Sequence, residues 1–132
     1  MKNTISLSFG ALATMLVYFL GGWDIAIQTL LIAIVLDYAT GVCKAIYNKK
    51  LNSTVGVKGI IKKIGYLIAV AVAVIVDRIT GNTGAIRTLV IYFFVANEGI
   101  SILENWGGMG LPLPTKLTDT LEQLKNDNNP KK

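Results

Sequence analysis

Three charged residues stand where the surrounding sequence is otherwise apolar: Asp37, Lys44 and Glu98. Asp37, Gly41, Lys44 and Asn48 recur at helical spacing and share one narrow stripe. Asn97, Glu98, Ser101, Glu104 and Asn105 fill a second stripe about 120° wide at the 100° helical step. Phe94 falls on that stripe one turn earlier, so the polar face stops half-way along the segment. In a bilayer such groups are expensive, about 2.5–3.5 kcal/mol for a central charge on insertion scales, so they turn toward protein or water. Two readings stand side by side. The charges can pair within one chain and hold its helices together, or the stripes can face an oligomer interface or an aqueous lumen. The length of the stripes favours the second. No His is present and Cys43 is the sole cysteine. His-based catalysis, disulfides and Cys/His metal sites are therefore set aside, and neither an enzyme nor a cofactor is expected. Cys43 reads as a small packing residue.

The elements that must carry these stripes are helices in a membrane. The chain of 132 residues is 52% hydrophobic with a mean hydropathy of +0.53, too apolar for an ordinary soluble domain of this size. Four apolar segments are expected as spans, at about 4–23, 25–47, 60–77 and 85–105, so that 1–106 forms the transmembrane domain. Trp23 serves as an interfacial anchor, and Trp106 marks the inner end of the fourth segment. Ser6, Gly10 and Thr14 make a small-residue ladder on the first span, and Gly65, Ala69 and Ala73 another on the third; such ladders let helices approach closely. Val57, Ile60, Ile61, Ile64 and Ile68 share one face, with Lys58 and Lys62 turned away, as in a segment lying at the headgroups before the chain dives. Gly-Asn-rich residues 80–84 read as a turn. Pro112 and Pro114 break the fourth helix before a short amphipathic helix, about Thr115 to Lys125, with Leu117, Leu121 and Leu124 on one side. A polar tail, 126–132, completes the C-terminal region of 107–132.

Charge sets the orientation. Of thirteen Lys and Arg, six lie between Lys44 and Lys63 with no acid among them: Lys44, Lys49, Lys50, Lys58, Lys62 and Lys63. A lysine-only loop after an apolar span is a cytoplasmic loop by the positive-inside rule. Four crossings then put both termini in the cytoplasm; three crossings with the opposite N-terminus is the alternative. The net charge of +5 is distributed around apolar spans and is not interleaved with exposed aromatics. Anionic lipid, not nucleic acid, is the expected partner.

The chain resembles a known family at this point. Leu36-Asp37-Tyr38-Ala39-Thr40-Gly41-Val42, then Lys44-Ala45-Ile46 and the Lys49-Lys50-Leu51-Asn52-Ser53 loop, is similar to the first signature of the toxin-secretion/phage-lysis holins. Gly56 to Lys63 resembles the segment after it. Ala96 to Asn105, with Gly110-Leu111-Pro112-Leu113-Pro114 and the Lys116-Leu117 helix, resembles the C-terminal signature. The likeness covers roughly Leu36 to Lys125. It implies an all-α, multi-pass protein of a bacterial inner membrane, encoded by a bacteriophage or prophage. Such proteins form homo-oligomeric lesions that release a cytoplasmic endolysin or a toxin and collapse the proton gradient. The alternative is a small proton-coupled multidrug transporter, which also has four short spans and an intramembrane Glu. There the essential Glu lies in the first span, which here carries no acid.

Overall fold

Capping side chains set the starts of the second and third helices, and glycines close the first and third. The computed structural model describes residues 1–127, all helix and connection. The expected tail falls largely on 128–132, outside the described residues, as do the side chains of Leu121 and Leu124. Helix α1 is Lys2–Phe19, shorter than the expected 4–23. Its end is closed by the Gly22 N–H bonding the Val17 carbonyl at 3.0 Å, with Gly21 at φ +82°. Asp24 then caps α2 (Ile25–Tyr47), its Oδ1 accepting from the Ile27 N–H at 3.1 Å. Asn52 caps α3 (Ser53–Thr80) by accepting from the Thr54 N–H at 2.9 Å. Gly81, at φ +72°, ends it.

Helix α4 (Ala85–Gly108) has Gly84 at its N-cap and so no capping side chain of its own. The buried Asp77 carboxylate supplies the missing acceptors, taking the N–H of Ile86 at 3.1 Å and of Arg87 at 2.8 Å. Helix α5 is Thr115–Asp127. The 28 residues of α3 form one continuous helix, where a headgroup segment followed by a separate span was expected. Asn52 starts the helix, and no proline interrupts it afterwards.

Helices α2, α3 and α4 are long and apolar enough to cross a membrane; α1, expected as a further span, is not among them. The packing centres on α4, which lies along α2 and, less extensively, along α3, while α2 and α3 barely touch each other. Ile27, Leu30, Val70 and Ile91 close the core near one end of the three helices. Toward the other end α2 and α3 diverge and leave an open cleft of about 1200 Å³. The distribution of polarity is inverted relative to a soluble bundle. Asp77, Arg87 and Glu98 are buried, whereas Ile32, Val35, Ile68 and Val72 are more than half exposed. That is the arrangement expected when the solvent is hydrocarbon. Helix α1 buries no residue. It is tied to the rest at its last turn, where Arg78 lies over the Tyr18 ring and donates to the Tyr18 carbonyl at 2.8 Å.

Candidate functional site: a buried ion triad

Tyr47, Ser53 and Gly108 lie at the same end of α2, α3 and α4, and Asn48 bonds across to the Gly108 carbonyl there. Counting inward ten residues from each gives Asp37, Lys63 and Glu98. At about 1.5 Å per residue, all three reach a common level roughly 15 Å from that end. The side chains meet there. Lys63 Nζ lies 2.6 Å from Asp37 Oδ2 and 2.6 Å from Glu98 Oε2. Glu98 is 2% exposed, Asp37 12% and Lys63 13%, so one charged side chain from each long helix is withdrawn into a shared site. Asn105 holds Asp37 from the far side, its Nδ2 at 3.0 Å from Asp37 Oδ1 and 3.0 Å from Thr40 Oγ1. Among the described residues no buried side-chain nitrogen or oxygen lacks a partner. With both acids ionised, the triad carries one positive and two negative charges.

Lys63 was expected in the basic loop; it lies instead within α3, between two carboxylates. Its register, ten residues into a continuous helix, brings the ammonium level with Asp37 and Glu98. Lys44 is not the partner of Glu98: its side chain lies against Gly108, where an added Cβ would come within 2.6 Å of Lys44 Cε. Asn97 donates to Tyr66 Oη at 2.9 Å, and Tyr66 stacks on Phe94 with centroids 4.2 Å apart. Ser101 and Glu104 line the cleft, as do Lys44, Lys50, Lys62 and Asn97; Lys49 and Lys58 are exposed outside it. Of the packing ladders, Ala73 is buried and Ala69 half-buried, but Gly10 and Gly65 have open space around them and Ser6 is exposed. Cys43, expected to pack, is exposed. Among the described residues no group of His, Cys, Asp or Glu is arranged to hold a metal ion.

A second ion site, near the opposite end of the bundle, was not foreseen. Arg87 is 7% exposed and donates from Nε to the Leu20 carbonyl at 2.6 Å. Its Nη1 and Nη2 donate to the two Asp24 oxygens at 2.7 and 3.0 Å. This fork ties the α1–α2 connection to the start of α4. The Arg87 guanidinium, bonded to the exposed Asp24 carboxyl, holds that acid below the usual carboxylate range. Position 21 must lack a side chain for this fit: a Cβ on Gly21 would stand 2.7 Å from Arg87 Nε and 2.9 Å from Val74 Cγ2.

The bacteriophage holin family matches the chain over residues 14–126. An uncharacterized 14.9 kDa protein of Clostridium perfringens is 46% identical over 94% of this chain and 95% of its own length. A Bacillus subtilis protein, YqxH, is 32% identical over 96% of this chain and 89% of its own. A protein of Bacillus phage phi105 named "probable holin" is 33% identical over 80% of this chain and 78% of its own. No solved structure matches the chain.

Proposed function

The chain belongs to the bacteriophage holin family, and from that premise we propose that it gathers in the host inner membrane and opens lesions. Through them a cytoplasmic endolysin, or a toxin, leaves the cell, and the proton gradient collapses. The observation that carries this reading is the triad. In a bilayer, helices gain no hydrophobic stabilisation from meeting each other, so packing and polar contacts decide their association. Asp37, Lys63 and Glu98 join three long apolar helices, roughly 15 Å in from the end that the three share. A closed protomer held in this way can accumulate without harm. When protomers gather, the same groups, with Ser101, Glu104, Asn97 and Lys44, become the polar surface that water needs to enter. Neither the family match nor the relatives supports the transporter alternative.

The test is co-expression with a cytoplasmic endolysin in a bacterium, followed by optical density. Abrupt lysis that requires both proteins is expected. Cells that keep growing, with the chain abundant in their membrane, would refute the proposal.

A further inference from the structure

Besides the acids and amides around the triad, the cleft between α2 and α3 is lined by lysines and by apolar side chains. Lys44, Lys50 and Lys62 contribute cations, and among the described residues none of the three has a salt-bridge partner. Val57, Ile60 and Phe93 contribute apolar surface, each roughly half exposed. Gly59 also lines it, and the space where its Cβ would stand is open. Lys63, deeper on the same wall, is already matched by Asp37 and Glu98. Four lysines against Asp37, Glu98 and Glu104 leave the lining net positive, so an occupant that brings negative charge for the lysines and hydrocarbon for the walls fits it. A second copy of the chain is a poor fit, since the segment from 44 to 63 would bring six lysines and no acid.

We propose that this cleft binds one anionic phospholipid, its phosphate among Lys44, Lys50 and Lys62 and an acyl chain against Val57, Ile60 and Phe93. The site rests on the membrane placement of α2, α3 and α4 but not on hole formation. It is tested on the purified chain without any lysis assay, so failure of one reading does not touch the other.

The protein in detergent is offered equal amounts of dioleoylphosphatidylglycerol and dioleoylphosphatidylcholine, and retained lipid is counted by native mass spectrometry. Phosphatidylglycerol should be retained in preference. The variant with Lys44→Gln, Lys50→Gln and Lys62→Gln should bind it about a hundredfold more weakly, taking roughly fivefold for each lysine. Removing the same charge outside the cleft, with Lys49→Gln, Lys58→Gln and Lys116→Gln, should leave retention close to that of the parent. Should the cleft variant lose its helix content by circular dichroism, Gly59→Leu decides instead. It keeps every lysine and fills the open space, and it should displace the lipid. Equal losses in the two lysine variants, equal retention of the two lipids, or undiminished binding by Gly59→Leu would overturn the site. Displacement of the lipid by excess inorganic phosphate would overturn it too, since the cleft would then be reading the anion alone.

Discussion

Glu98 and Lys63 face each other in one ion cluster, yet their removal has opposite consequences. Glu98→Gln takes away one of two carboxylates and leaves a one-to-one pair of Lys63 and Asp37. The variant should stay as abundant in the membrane as the parent, with a shifted lysis time, because the polarity that water must meet has changed. Immunoblots beside optical-density curves check this; loss of the protein would contradict it. At the far end of the bundle, Asp24 is a milder case. Its folded-state pKa is depressed by the Arg87 hydrogen bonds. Its contribution is therefore present above the unfolded carboxylate value of about 3.9 and lost as the pH falls through the lower folded value. Since Asp24 is 53% exposed, solvent screens the pair and the effect is small. Between pH 5 and pH 3 the purified protein should lose a little thermal stability that Asp24→Asn does not lose. Equal acid sensitivity in the two would remove the role assigned to this pair.

At the scale of elements, the turn after α1 leaves little room for a side chain. Gly21→Ala sets a Cβ against Arg87 and Val74 at a φ of +82°, where side chains are disfavoured. It should cost about 1–3 kcal/mol, read as a lowered melting temperature in detergent. Gly22→Ala should be tolerated better: its φ of +126° is strained, but no atom lies within 4 Å of the added carbon. Equal melting temperatures for the two would contradict the close approach. Much of the element layout is legible from the sequence, because apolar length and capping residues are local signals: Asp24 and Asn52 sit directly before α2 and α3. The stripe around Asp37 and that around Glu98 are legible for the same reason. The partner of these acids is not. Lys63 stands in a run of lysines that hydropathy assigns to a surface loop, and only the continuity of α3 from Ser53 brings it opposite Asp37. The common ten-residue offset from three helix ends is the signal that locates it, and it needs correct helix boundaries. Arg87 and Asp77 are hidden differently: the partners of Arg87 lie far back along the chain in the α1–α2 connection, and Asp77 reaches over the α3–α4 turn to backbone N–H groups at the start of α4.

For the whole molecule, three long apolar helices with one basic end fix a definite orientation if the lysine asymmetry governs insertion. Cys43 is exposed, so labelling starts from a Cys43→Ser background. In intact cells, before lysis, a membrane-impermeant thiol reagent should reach Asn82→Cys and miss Ser53→Cys. Labelling at Ser53→Cys from outside would reverse the orientation. If the Asp37–Lys63–Glu98 triad holds the closed protomer together, Lys63→Gln should undo it. That change strands two carboxylates among apolar helices, and breaking a buried pair in this way costs about 3–5 kcal/mol. Lys63→Gln alone should be depleted from the membrane. Adding Asp37→Asn and Glu98→Gln should restore its abundance, with lysis earlier than the parent's because no ion cluster holds the bundle shut. A Lys63→Gln protein as abundant as the parent, and lysing on time, would contradict the triad's role.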